Sequence, residues 1–316
     1  MKLVFLDRKT LAPDVKLRRP NLDHHWQDYA DTTPEQVIER LQHADVAIVN
    51  KVHISADVIA RLPSLKLVAL AATGSDNIDL NACRNAGIAV CNIRNYSESA
   101  VPEHALSLMM ALSRNLYAYR QSVEHGRWQQ SGQFCYFDYS VRDLKGQTLG
   151  LIGYGTIARD LERLAKALGM KVIVAARKGQ PAGHGRLPFE QVIETADVIS
   201  LHCPLNKDTH HVISEREFAM MKPDALLINV GRGGLVDEEA LLNALREQRI
   251  GGAGFDVVSA EPPPADHPLM QALQYPNFIL TPHIAWASHD SMQRLADQLI
   301  DNIEAFAHGR KQNRLV

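Results

Sequence analysis

Short apolar runs alternate with longer stretches of mixed or helix-spaced character along the whole chain. The runs fall at 3–6, 46–49, 67–72, 88–93, 149–152, 172–176, 198–201, 226–230 and 278–280. They are rich in Val, Ile and Leu, and their lengths suit strands buried on both faces of a sheet. Such strands pair in parallel and need crossover helices between them. The pattern therefore predicts an α/β protein with doubly wound parallel sheets.

The stretches between the runs supply the helices. Residues 98–119 read as one long helix, with Pro102 near its start, where a missing N–H is tolerated. Residues 120–145 are rich in Gln, Ser, Gly and aromatics without periodicity, and read as an irregular connection or an arm reaching a partner subunit. Over 288–308, Met292, Leu295, Leu299, Ile303 and Phe306 stand at helical spacing, and Gly309 ends the run. This last helix is expected to pack back on the first part of the chain.

A chain of 316 residues exceeds the size at which one hydrophobic core keeps growing, so two domains are expected. With 46% hydrophobic and 22% charged residues, the composition excludes a disordered chain. A formal net charge of -2 offers no positive field to a phosphate backbone or an anionic membrane, so neither is an expected partner. Asp7 interrupts the N-terminus before a signal-length apolar stretch has formed, and no apolar run of about 18 residues follows, so neither export nor a membrane span is expected. Cys83, Cys91, Cys135 and Cys203 are scattered without a C-x-x-C pair, which reads as reduced thiols in a cytoplasmic setting. The adjacent pairs His24-His25 and His210-His211 have no spaced partners, and no metal is expected.

The run at 149–152 is followed by Gly153-Tyr154-Gly155-Thr156-Ile157-Ala158 and then by an amphipathic helix that Gly169 ends. This is G-x-G-x-x-A between a strand and a helix. The first glycine permits the tight turn, the second lets a pyrophosphate approach the backbone, and the small third residue lets helix and strand pack closely. Phosphate would meet the positive end of the helix dipole. An acid at the end of the next strand would bind the ribose 2′-hydroxyl of NAD. The chain instead reads Val174-Ala175-Ala176-Arg177-Lys178, with two cations able to pair with a 2′-phosphate, so NADP(H) is the expected cofactor in preference to NAD(H).

Three polar residues follow later runs, at the loops that face the crevice of a doubly wound sheet. They are Arg232, Glu261 and His283. Reducing a 2-oxo acid needs a cation to hold the carboxylate and polarise the carbonyl, and an acid to protonate the developing alkoxide. Arginine and histidine supply these functions, and a carboxylate beside the histidine would orient its ring. Each residue alone also fits a structural role: Arg232 in a helix-terminus ion pair, Glu261 as a solvated charge before three prolines, His283 as a capped loop histidine.

Five motifs in order carry a family resemblance. They are 72–79, Ala-Thr-Gly-Ser-Asp-Asn-Ile-Asp; the glycine turn at 153–158; 201–205, Leu-His-Cys-Pro-Leu; 231–237, Gly-Arg-Gly-Gly-Leu-Val-Asp; and 281–288, Thr-Pro-His-Ile-Ala-Trp-Ala-Ser. Together they resemble the D-isomer-specific 2-hydroxyacid dehydrogenases across nearly the whole chain. The resemblance implies a flavodoxin-like substrate-binding (catalytic) domain from 1–98 and 287–316, a Rossmann cofactor domain at 99–286 with a cleft between them, and a homodimer. It makes His283 the acid/base, Glu261 its support and Arg232 the ligand of the carboxylate and carbonyl. Thr73 and Gly74 would offer amides to the carboxylate and Asp256 would hold the nicotinamide amide, while Cys203 and Pro204 would line the adenine side and Val230 would lie near the nicotinamide. The tail Ala285-Trp286-Ala287-Ser288 and the stretch from Arg127-Trp128 to Phe137 are similar to the glycerate dehydrogenase/hydroxypyruvate reductase branch, which implies hydroxypyruvate or glyoxylate as substrate. Ala158 and Ala176 depart from the family's usual glycine and acid. Phosphoglycerate or D-lactate dehydrogenase, or a non-catalytic NAD(H)-binding corepressor-like protein, stay open as alternatives.

Overall fold

Each of those apolar runs becomes a strand in the computed structural model of the chain, which describes residues 1–183 and 185–316. The chain divides into two units, Met1–Ser97 with Ala287–Val316, and Glu98–Trp286. The first unit begins with β1 (Lys2–Phe5), β2 (His25–Asp28), α1 (Val37–Leu41) and β3 (Val46–Val49). It continues with α2 (Ala56–Ala60), β4 (Leu67–Leu70), α3 (Leu80–Asn85) and β5 (Ala89–Cys91). Its strands form one parallel sheet in the order β2-β1-β3-β4-β5. Alternate residues Val4, Ala47, Val68 and Val90 pack with Leu41, Ile59 and Cys83 of the helices, as the two-residue period of a strand requires.

Strand order in this sheet reverses between β1 and β3, where open α/β sheets commonly hold a ligand. Here the position is filled from within. The Asp7 carboxylate, 4% exposed, accepts hydrogen bonds of 2.6–3.2 Å from the amides of Asn50, Lys51 and Val52. It satisfies three donors that the turn after β3 would otherwise bury unpaired.

The second unit opens with three helices, α4 (Ala100–Ser113), α5 (Leu116–Glu124) and α6 (Arg127–Ser131). The alternating part follows as β6 (Thr148–Ile152), α7 (Thr156–Ala167), β7 (Lys171–Val174), α8 (Phe189–Thr195) and β8 (Val198–Leu201). It ends with α9 (Glu215–Met220), β9 (Leu226–Asn229), α10 (Glu238–Arg246), β10 (Gly252–Phe255), α11 (Pro268–Ala272) and β11 (Phe278–Leu280). The parallel six-stranded sheet has the order β11-β10-β9-β8-β6-β7. Leu226 and Ile228 pack with Leu108 and Leu112 of α4 and Leu161 of α7. Leu227 between them packs on the opposite layer with Phe218, Leu241 and Leu269. Burial on both faces is why these strands read as unbroken apolar runs.

The last helix, α12 (His289–Ala307), belongs to the first unit and packs against β4. Ser288 caps it, with Oγ accepting from Ser291 N, and Gly309 at φ +71° ends it. Asn302 donates to the Asn92 carbonyl and Asn92 donates to the Thr73 carbonyl, so a chain of amides ties this helix to the turn after β4.

The fold departs from the sequence reading in three places. The single helix expected over 98–119 is broken at Asn115, which takes φ +48° and donates through Nδ2 to the Ser140 carbonyl. Asparagine tolerates this left-handed conformation better than most residues. Two helices, α5 and α6, occupy part of the stretch expected to be irregular. Two strands carry no apolar run. β2 is a half-exposed sheet edge, and β10 reads Gly-Ala-Gly-Phe because a β-carbon on Gly254 would lie 3.0 Å from Leu108 Cβ of α4.

Candidate active site

The glycine turn after β6 is built as the residue types demand. Gly153 has φ +89°, and a β-carbon there would sit 2.5 Å from Cys203 N, so glycine alone lets the loops after β6 and β8 touch. β7 and β8 flank β6 on opposite sides, so this contact lies at the sheet's reversal point. Gly155 stands at the start of α7 with open space where a side chain would be, no side chain caps the helix, and its first turn holds no acid. Together with the exposed Thr156, these amides fit a pyrophosphate. Ile157 is half-buried, and Ala158 is fully buried against the sheet. Tyr154 folds back over α7, its hydroxyl bonded to Glu162 and its ring under Arg159.

The two cations after β7 separate. Ala176 is buried and Arg177 is exposed, with no ion-pair partner among the described residues. Lys178 turns inward: its ammonium lies 2.8 Å from Glu217 Oε1, donates to the Val212 carbonyl and rests 5.5 Å from the Phe189 ring centroid. Glu217 is 1% exposed. Burial by itself would raise its carboxyl, but the Lys178 ammonium and the Ser214 hydroxyl hold it below the usual range. Lys178 is therefore committed to the core.

After β8, burial lowers the His202 imidazole to about 4, and its Nε2 lies 2.8 Å from Ser200 Oγ. Cys203 is half-buried, with its thiol pushed up by that burial, and Pro204 is exposed. All four cysteines are free thiols, and burial takes Cys83 to about 11 and Cys91 to about 12. Among the described residues no group of three or more His, Cys, Asp or Glu is placed to hold a metal, and no helix is long and apolar enough to cross a membrane.

Arg232, Glu261 and His283 lie on the loops after β9, β10 and β11. The half-buried Val230 leads into the first of these. The buried Asn229 side chain shapes the loop by accepting from Gly231 N and donating to the Arg232 carbonyl. A β-carbon on Gly233 would overlap the backbone of Val258 and Ser259, so the arginine loop crosses directly over the glutamate loop. Glu261 Oε1 accepts from Val258 N at 3.2 Å, and its Oε2 lies 2.6 Å from His283 Nδ1. A carboxylate only accepts, so Nδ1 carries the hydrogen it faces and Nε2 is left for proton transfer.

Asp256 fixes the histidine loop. It is 1% exposed and accepts from Thr281 Oγ1, Ile284 N and Ala285 N at 2.5–2.9 Å, while the His283 carbonyl accepts from Trp286 Nε1. His283 is held there at φ +56°, a left-handed conformation costly for a histidine. His104 of α4, 2.9 Å from Thr281 Oγ1 and 3.6 Å from Asp256 Oδ1, completes the support and escaped the sequence reading. Its only trace in the sequence is a histidine interrupting an apolar helix. A cavity of about 440 Å³ lies against the Glu261–His283 pair, lined by Val258, Pro262, Met270, Leu273, Leu280 and Pro282, and keeps one side of it apolar. Thr73 and Gly74 lie in the first unit. There the Thr73 hydroxyl bonds to the Ile93 carbonyl, and neither residue's amide donates to an acceptor among the described residues.

Comparison with known proteins decides the family. The model for the D-isomer specific 2-hydroxyacid dehydrogenase NAD binding domain matches residues 106–285. The chain belongs to this family. A glycerate dehydrogenase from Methylorubrum extorquens is 50% identical over 313 residues, covering 99% of this chain and 98% of its own. A hydroxypyruvate reductase from Blautia hydrogenotrophica is 35% identical over 89% of this chain and 88% of its own. Among solved structures, an acyclic imino acid reductase in complex with NADPH and D-Arg superposes with a TM-score of 0.83 at 29% identity, covering both chains in full. As a member of this dehydrogenase family, the protein is an oxidoreductase of small 2-oxo and 2-hydroxy acids that uses a nicotinamide dinucleotide.

Lys178→Ala leaves a buried carboxylate without its cation and is expected to cost about 3 kcal/mol at neutral pH, the lower end for a broken buried pair because the lysine is partly exposed. The Glu217 carboxyl is depressed in the folded protein, so this contribution is present above the ordinary carboxyl value of 4.5 and is lost as the pH falls through the lower folded value. Urea unfolding of variant and parent at a series of pH values should show the difference shrinking in acid.

Proposed function

We propose that this enzyme reduces hydroxypyruvate or glyoxylate with NADPH, giving the D-2-hydroxy acid glycerate from the former and glycolate from the latter. The observation that carries the reading is the 2.6 Å contact between Glu261 and His283 on adjacent strand-end loops, with the Arg232 loop crossing over the same backbone. The glycerate dehydrogenase and hydroxypyruvate reductase relatives support the choice of substrate.

In this reading the unit Glu98–Trp286 binds the dinucleotide. Bound NADPH supplies a hydride for the keto carbon. The Arg232 guanidinium grips the substrate carboxylate with its planar fork and polarises the carbonyl, and the amides of Thr73 and Gly74 donate to the same carboxylate. His283 gives its Nε2 proton to the oxygen as negative charge builds there, and Glu261 holds the ring and offsets the imidazolium charge. Asp256, with both oxygens engaged, sets the histidine loop, and would hold the nicotinamide amide when the dinucleotide is bound. Cys203 and Pro204 would line the adenine side of a bound dinucleotide, and Val230 would lie near its nicotinamide. The free thiols fit a cytoplasmic setting.

The cofactor preference rests on Arg177, whose guanidinium is exposed beside the buried Ala176, with no acid there to repel a 2′-phosphate. The exposed apolar side chains of α5, α6 and the following loop support a homodimer: Leu116 is 59% exposed, Phe134 90% and Phe137 85%. Large apolar side chains left this exposed along one stretch of chain suit a contact surface, and the occupant proposed is a second copy.

Oxidation of NADPH by the purified protein with hydroxypyruvate, glyoxylate, pyruvate and phosphohydroxypyruvate tests the substrate directly, with the first two expected to turn over best. His283→Gln should lower kcat by about two to four orders of magnitude, the value of a positioned acid, and an unchanged rate would remove it from that role. Arg177→Ser should weaken NADPH binding about 10- to 100-fold, as for a lost charged hydrogen bond, and leave NADH unaffected. A parent enzyme that prefers NADH contradicts this part of the reading. Sedimentation should give twice 35.1 kDa for the parent and the monomer mass for Phe134→Glu combined with Phe137→Glu. A monomeric parent would rule the dimer out.

A further inference from the structure

Behind the acid/base pair lies a second histidine–carboxylate pair that touches no reacting group. Glu238 opens α10 and is 8% exposed, while His267 precedes α11 and is 7% exposed. Their Oε2 and Nε2 are 3.1 Å apart. Glu238 is not needed for the end of α10, since Asp237 already caps that helix by accepting from Ala240 N, whereas His267 caps α11 through Nδ1 and keeps Nε2 for Glu238. The glutamate side chain is free to turn inward, and it does.

The target of Glu238 is Ser259. Its Oε1 accepts from Ser259 N at 2.8 Å and its Oε2 from Ser259 Oγ at 2.5 Å. His267 Nδ1 accepts from Leu269 N at 3.2 Å, which puts the ring hydrogen on Nε2, facing Glu238 and 3.2 Å from Ser259 Oγ. The carboxylate, itself 8% exposed, thus accepts two hydrogen bonds from one residue and a third from the histidine.

Ser259 stands two residues before Glu261, and the preceding amide, Val258 N, donates to Glu261 Oε1. The amides on either side of the Val258 carbonyl are therefore pinned by different carboxylates, the first by the catalytic glutamate and the second by Glu238. The arginine loop crosses at the same point, where Gly233 has no room for a β-carbon against Val258 and Ser259. A slip of this backbone would displace Glu261 from His283.

We propose that Glu238, clasped by His267, is a positioning residue for the reaction: through Ser259 it fixes the backbone that aims Glu261 at His283. The proposal rests on the acid/base reading of Glu261 and His283. It assigns Glu238 an effect on turnover and none on the recognition of substrate or cofactor.

Four variants test it: Ser259→Ala, Ser259→Thr, Glu238→Ala and Glu261→Gln, with the double variant of the last two. Ser259 is an exposed loop residue, so its variants fold. Glu238→Ala should lower kcat by about 10- to 100-fold, the scale of a misplacement near 1 Å, with KM for hydroxypyruvate and Kd for NADPH within about twofold of the parent. Ser259→Ala should lose a smaller part of kcat and Ser259→Thr, which keeps the hydroxyl, should recover it. Because Glu238 acts through Glu261, adding Glu238→Ala to Glu261→Gln should lower kcat little further. Full additivity in the double variant, or Ser259→Ala and Glu238→Ala enzymes that melt lower yet keep the parental kcat, would overturn the proposal. A fully active Glu261→Gln enzyme overturns the acid/base reading itself and the proposal with it, a result distinct from the other two.

Discussion

The contact between Glu261 and His283 joins two loops that leave neighbouring strands, β10 and β11, and the second unit is organised around keeping it short. A carboxylate and an imidazole on flexible loops would spend most of their time apart, hydrated separately, because a pair a quarter to a third exposed gains little from Coulomb attraction alone. The gain comes from pre-organisation. Asp256 satisfies three donors of the histidine loop, Asn229 closes the arginine loop, and Gly233 lets that loop lie on the glutamate loop without a gap. The strain of His283 at φ +56° is sustained by this network rather than by its own propensity.

The two sheets treat their reversal points differently. In the second unit the point is kept open: Gly153 brings two loops together, and Gly155 leaves the start of α7 bare. In the first unit the corresponding point is occupied by the Asp7 carboxylate, which takes three amides that a bound anion would otherwise attract. One doubly wound topology thus serves as a dinucleotide cradle in one unit and is closed by the buried Asp7 side chain in the other. The amide chain from Asn302 through Asn92 to Thr73 then fixes the turn whose own amides stay available.

The parts of this arrangement legible in the sequence are those in which one residue type answers one backbone demand. Gly153 and Gly155 are such residues, and so are the runs of Val, Ile and Leu that two-sided burial requires. β10 was not legible, because close packing of α4 replaces the expected β-branched residues by glycine, and β2 was not, because an edge strand needs no apolar run. Arg177 and Lys178 look equivalent as letters. Only the fold separates them, by placing the buried Glu217 within reach of one. Glu238 and His267 left no mark and His104 only a histidine within an apolar helix, since each is defined by a partner far along the chain, such as Thr281 177 residues from His104.

The most direct measurement is a crystal structure of the enzyme with NADPH and oxamate, an inert analogue of a small 2-oxo acid. His283 Nε2 is expected within about 3.2 Å of the analogue's carbonyl oxygen and the Arg232 guanidinium on its carboxylate. An analogue bound beside the nicotinamide with the imidazole turned away, and another group donating to that oxygen, would contradict it.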